Sequence, residues 1–308
     1  MKNISILSAL LIFVSIKTFS QTYDEHILAA NELYAEEEYV ESSEFWDKAF
    51  LIHTGYASDY YNAACTNALA GNSAKAFRQL EAAVLNGWED IEWMKKDSDL
   101  NSLKKSGDWN DFMAHVPEFL KSYQARLNLP LKEQLEQLRV QDQTIRLLLP
   151  DAEARFGRDS EEYGWFRNEL MPRNDSIVLE SVIALIDQEG WLGISEVGEL
   201  ANQTLWLVIQ HAPLAIQETY LPLLENSVSK GESKASYLAF LEDRILMRKK
   251  EPQIYGTQSL WDKEKMKNVI WPIWDSADVN QRRREVGLET IEAYAKKSGF
   301  VYEPKSDN

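Results

Sequence analysis

The chain has 308 residues, 44% of them hydrophobic and 27% charged, a globular composition with room for two domains of ordinary size. With 33 basic residues against 49 acidic ones it carries a formal charge of −16, a field that repels phosphate backbones and anionic head groups. Nucleic acid and membrane-surface partners are therefore not expected, and the acidity reads as a device for solubility.

The first element is an export signal. Lys2 forms a short basic region, residues 4–16 are apolar apart from three serines, and Thr18-Phe19-Ser20 offers small residues for a cut before Gln21. The run is shorter than the ~20 residues that a membrane span needs. Residues 1–20 are thus expected to be a cleaved signal peptide, leaving a periplasmic or extracellular protein with no stable membrane anchor. Cys65 is the only cysteine, so no disulfide within the chain can form. One thiol and four histidines without paired spacing predict no metal site, and no cofactor is expected.

Residues 21–120 match themselves at an offset of 34: His26 with Tyr60, Ala30 with Ala64, Ser42 with Ala76, Trp46 with Leu80, and Ala49 with Ala83. Small residues recur where two helices must approach closely, and a large residue then an alanine follow at helical spacing. Gly71 suits a helix C-cap between the paired helices, at the place that Glu37 takes in the first copy. Period and pattern resemble the tetratricopeptide repeat, which implies helix pairs offering a concave face to a protein or peptide. The following segment, with Ile91, Trp93, Met94, Leu100, Leu103, Trp109, Phe112 and Met113 at helical spacings, is expected to close the array. Asp97 and Asp108 are its candidate N-caps.

Residues 125–303 read as a second, multi-helix domain, so the expected class is all-α. Leu131, Leu135, Leu138, Ile145 and Leu149 mark a helix ended by Pro150. Further helices are expected over 159–171, from a cap at Asp175 to Gly190, over 199–211, 220–229 and 234–249, and over 279–297. Residues 253–259 suit a short extended piece.

Polar clusters stand between these helices: Asp142-Gln143 with Arg146, Gly190-Trp191, Gln210-His211, Asp243-Arg244, a run from Pro252 through Gln253, Tyr255, Gly256, Thr257 and Gln258, and Arg282-Arg283. In this order they resemble bacterial domain-of-unknown-function family 6624, with its DQxxR, QHA, DR and YGTQ pieces. Leu192 replaces the proline of that family's GWPG turn, and the resemblance implies no established activity.

Two functions fit these residues. In the first, an exported binding protein uses its repeats for a protein or peptide partner. A pocket of Gln143, Arg146, Trp191, Gln210, Arg244, Gln253, Tyr255, Gly256, Thr257 and Gln258 would then hold a small polar ligand, since such side chains supply amide, hydroxyl and guanidinium groups. In the second, a hydrolase of unknown substrate uses His211 as general base, oriented by Asp243. His211 also has a structural reading, as a buried imidazole at a helix end. The sequence has no GxSxG, HExxH, P-loop or glycine-rich dinucleotide turn.

Overall fold

A computed structural model describes residues 23–303, so the expected signal peptide lies outside the described residues. The fold is all-α apart from one small hairpin. The chain forms two compact units, one reaching Arg126 and taking in Glu251 onward, the other being Leu127–Lys250. The stretch expected as a single domain over 125–303 is thus shared between the units. No helix among the described residues is long and apolar enough to cross a membrane.

In the first unit, helix α1 covers residues 23–35 and is followed by α2 (Tyr39–Ile52), α3 (Ala57–Leu69) and α4 (Ser73–Leu85). The 34-residue matches fall inside. Ala30, Ala64, Ser42, Ala76, Trp46, Leu80, Ala49 and Ala83 are all fully buried, so the repeated small residues let backbones approach while Trp46 and Leu80 fill the space between.

The turns repeat as well. After α3, Asn72 N–H bonds the Asn67 carbonyl at 2.8 Å and Gly71 N–H bonds that of Ala68 at 3.3 Å. After α1, Glu38 N–H bonds Leu33 at 2.9 Å and Glu37 N–H bonds Tyr34 at 3.1 Å. Both are Schellman closures, which need a left-handed residue. Gly71 supplies it at φ +79°, and Glu37 is forced to φ +63°. A side chain there costs about 1 kcal/mol. Glu37→Gly is therefore expected to raise the thermal midpoint by about 2–4 °C; a lower midpoint in a thermal melt would refute the strain.

The closing segment contains α5 (Ile91–Lys96), a 3₁₀ turn (Ser98–Leu100), α6 (Asn101–Lys104) and α7 (Asp108–Gln124). Met94, Leu100, Leu103 and Trp109 pack against Tyr61, Leu80 and Val84 as expected. Trp93 does not, being 53% exposed. Asp97 caps the 3₁₀ turn by accepting from Asp99 N–H at 3.0 Å. Asp108 is no cap, because the helix cap position falls on Gly107.

The Leu127–Lys250 unit consists of α8 (Leu129–Phe156), α9 (Glu161–Trp165), a π-helical turn (Phe166–Leu170), α10 (Met171–Glu189), α11 (Ile194–Val197), α12 (Glu199–His211), α13 (Leu214–Ser229) and α14 (Ala235–Arg248). Its core joins Leu135 and Leu138 to Val178, Val182, Leu205, Ile209, Leu224 and Leu241. Two proline readings need correction. Pro150 does not end α8, which runs on to Phe156 with Ala152 buried. Pro172 opens α10 rather than closing the helix before it, since a first-turn proline loses no intrahelical bond. Asp175 accordingly lies inside α10 and does not cap it.

From Glu251 onward the chain returns to the first unit. Strands β1 (Ser259–Asp262) and β2 (Lys267–Ile270) pair antiparallel, with Ser259 opposite Ile270 and Asp262 opposite Lys267. The helix expected over 279–297 is two, α15 (Val279–Arg284) and α16 (Ile291–Ser298), because Gly287 interrupts it and Thr290 caps a new start, accepting from Ala293 N–H at 3.3 Å. Ile270, Val279 and Ile291 form a small core with Ile273, Tyr294, Phe300 and Tyr302. A Cβ placed on Gly287 would come within 3.2 Å of the Asp24 carboxylate on α1, which shows how closely this segment approaches the first helix.

Candidate functional site

The periodicity of α8 builds the polar centre of the Leu127–Lys250 unit. Asp142 follows Leu135 by seven positions and Leu138 by four, so the apolar stripe carries its carboxylate into the core, where it is 2% exposed. A buried carboxylate needs a partner, and Arg146, one turn on, provides it. Its Nη1 donates to the Asp142 carbonyl at 2.8 Å and lies 3.2 Å from the Asp142 carboxylate. The same nitrogen donates to Asp175 of α10 at 2.9 Å, while Nη2 donates to Nδ1 of His211, at the end of α12, also at 2.9 Å. Gln143 completes the group by donating to Asp142 at 2.5 Å. One guanidinium thus ties three helices together.

A guanidinium can only donate, so His211 Nδ1 accepts and the ring's proton sits on Nε2. Burial first, then the charges of Arg146, Arg244 and Arg248, push the imidazole down to about 3. His211 is therefore neutral at ordinary pH. The nearest carboxylate oxygen, on Asp142, lies 3.9 Å from the same nitrogen that Arg146 occupies. Asp142 itself is pushed above the usual carboxylate range by burial, against the pull of Arg146 and of the Gln143 hydrogen bond.

Of the other residues singled out in this unit, Trp191 sits apart from that centre. Trp191 donates to Ser233 at 3.2 Å, in a buried network with Asn202, near the start of α12. Asn202 and His211 are nine residues apart on that helix, about 14 Å along its axis. Gln210 is buried, and its carbonyl accepts from Gln217 at 2.6 Å. Asp243 is fully buried on α14, and Arg244 acts on the His211 ring through its charge.

The 252–258 run belongs to the other unit. Gln253, fully buried, donates to the Gln258 carbonyl at 3.0 Å and the Trp271 carbonyl at 2.7 Å, and accepts from Gln258 N–H at 2.9 Å. Gln258 donates to Thr257 at 3.0 Å, and Tyr294 to the Thr257 carbonyl at 2.9 Å. Arg283 donates to the Tyr255 carbonyl at 2.7 Å and Arg282 to that of Ile254 at 3.0 Å. Gly256 stands at φ +75°, which favours glycine, and a Cβ there would meet the Ile291 Cδ1 methyl at 2.7 Å and force that side chain to shift. Here polar side chains satisfy the backbone of their own loop.

The first unit also holds a cavity of about 300 Å³. Asn31 and Tyr34 face it from α1; Tyr61, Asn62, Cys65 and Thr66 from α3; Trp88, Trp93, Asp97 and Asp99 from the chain after α4. Each paired helix set therefore contributes its first helix. Sequence reasoning named none of these residues as a site, although Asn31 and Cys65 are themselves 34 apart. Tyr61 donates to Asp97 at 2.8 Å, Tyr34 donates to Asp99, and the Cys65 thiol lies 3.6 Å from Asp97. Cys65, Asp97 and Asp99 come close enough together to offer ligands to one ion. Burial, reinforced by the two carboxylates, pushes the thiol far above its ordinary range, so without an ion it stays protonated.

Fold and site together define an all-α protein whose first unit carries a cavity faced by α1 and α3 and whose second holds an Arg–His–carboxylate centre around the buried Asp142. Over residues 131–305 the sequence matches the model of a family of unknown function, DUF6624, and the chain belongs to that family. The match takes in the Gln210-His211-Ala212, Asp243-Arg244 and Tyr255-Gly256-Thr257-Gln258 motifs. No curated protein and no solved structure matches the chain.

Proposed function

We propose that this chain is an exported binding protein, freed of residues 1–20, whose tetratricopeptide-type repeats over 21–120 engage a segment of a protein or peptide. The observation that carries this reading is the cavity of about 300 Å³ faced by α1 and α3. The small rotation from one helical repeat to the next creates a concave binding surface. The buried 34-residue matches and the two identical Schellman turns support the repeat assignment.

The centre on Arg146 weighs against the hydrolase alternative. A general base works best with a pKa near the working pH, and its proton-accepting nitrogen must be open to substrate. His211 is pushed down to about 3, and its Nδ1 already accepts from Arg146. The Arg146 centre reads instead as the fastening of three helices.

The test is selection of peptides from a random library on the mature chain, with affinities measured by calorimetry. Asn31 and Asn62 are exposed on the cavity rim, so Asn31→Ala with Asn62→Ala should leave the fold intact. The double variant is expected to bind selected peptides at least tenfold more weakly. A library that yields no binder, or binders indifferent to the double variant, would remove the reading.

A further inference from the structure

The repeat cavity has a chemistry of its own. Its floor holds the buried Asp97, fixed by the Tyr61 hydroxyl at 2.8 Å and by Asp99 N–H at 3.0 Å. Asp99, half-buried, is held by the Tyr34 hydroxyl. Among the described residues that line the cavity none is Lys or Arg; the Lys104 ammonium donates to the Asp97 backbone carbonyl at 2.6 Å and is not itself one of the lining residues.

One wall is aromatic. Tyr61 and Trp88 stack with ring centroids 3.7 Å apart and planes 5° from parallel. Trp93 also lines the cavity and is 53% exposed, so its ring is open to a ligand. Aromatic faces attract cations, and they cover an alkyl stem as well as a charged head. A space of about 300 Å³ admits one long side chain and no folded element. Asn31 and Asn62, exposed and on adjacent first helices, present amides that can both donate to and accept from an extended backbone.

We propose that this cavity binds the cationic side chain, lysine or arginine, of an extended peptide segment, with Asp97 and Asp99 as counter-charges and Trp88 and Trp93 as walls. The proposal rests on the repeat-binding reading and gives it a ligand chemistry. Oriented carboxylates need no rearrangement on binding, and a chain of net charge −16 draws cationic segments towards it.

Blocked pentapeptides Gly-Gly-X-Gly-Gly are titrated into the mature chain, with X as lysine, arginine, Nε-acetyl-lysine or norleucine. Lysine or arginine is expected to bind at least tenfold more tightly than the two neutral forms, and more weakly as sodium chloride is raised. Asp99→Asn should cut that preference several-fold, because an amide keeps the Tyr34 contact but loses one of the two charges. Trp93→Ala should weaken the charged peptides several-fold; thermal midpoints of both variants near that of the parent exclude unfolding as the cause. Equal binding of lysine and Nε-acetyl-lysine, or a preference unchanged by Asp99→Asn, overturns the proposal. So does a calcium or zinc chloride titration in which the ion binds through Asp97 and Asp99 while the lysine peptide fails to bind metal-free protein. Library-selected peptides that bind through Asn31 and Asn62 yet ignore lysine acetylation would end the cation claim and leave the peptide-binding reading standing.

Discussion

Arg146→Met is expected to destabilise the Leu127–Lys250 unit by about 3–5 kcal/mol, the loss typical when one partner of a buried ion pair is removed. The size follows from what is left behind. Asp142 is 2% exposed and would lose the cation that offsets its burial. Asp175 and His211 would each lose a 2.9 Å hydrogen bond. The methionine stem replaces most of the packing volume, so the loss reflects charge and hydrogen bonding rather than a cavity. Arg146→Lys should recover little, since one ammonium cannot reach Asp175, the Asp142 carbonyl and His211 with the geometry of a planar fork. Adding Asp142→Leu to Arg146→Met should restore part of the loss, because replacing both members of a buried pair by apolar groups removes the orphaned charge. Urea unfolding followed by circular dichroism measures each step. A single variant within about 1 kcal/mol of the parent would mean that water already reaches Asp142 and that the centre contributes little.

The parts of this fold legible in the sequence are those set by local spacing. Helix α12 runs from Glu199 to His211, the bounds expected from its apolar stripe and from Pro213. Trp46 and Leu80, 34 apart, both lie fully buried. The errors came where a partner distant in sequence decides the outcome. Pro150 reads locally as a stop, yet α8 continues past it to bury Ala152. Asp175 reads as a cap because no local pattern reveals that Arg146, 29 positions away, takes its side chain. The β1–β2 hairpin went unseen because four residues per strand are too few to establish alternation. For the site, Asp142 was visible in principle as a carboxylate on an apolar stripe. Asn31, Tyr34, Trp93 and Asp99 were not, since only the stacking of successive helices brings them to one cavity.

The second large effect is a pH dependence centred on His211. In the folded chain its imidazole is pushed down to about 3, by burial and then by Arg146, Arg244 and Arg248. In the unfolded chain it titrates near the ordinary value of about 6.5. Below that value the unfolded chain gains a proton that the native chain refuses, so stability falls as pH drops, with a limiting slope of about 1.4 kcal/mol per pH unit. Between pH 7 and pH 5 the loss is about 2 kcal/mol, and it continues towards the folded value. Asp142 acts in the opposite sense. Its folded pKa is raised, so protonation there favours the native state and offsets part of the histidine effect. His211→Gln keeps a side-chain acceptor for Arg146 without a titrating ring, and should flatten the urea midpoints measured at pH 5, 6 and 7. Parent and variant curves that fall in parallel would place the titration elsewhere. They would also contradict a His211 that stays neutral down to the acid range while its Nδ1 accepts from Arg146 at 2.9 Å.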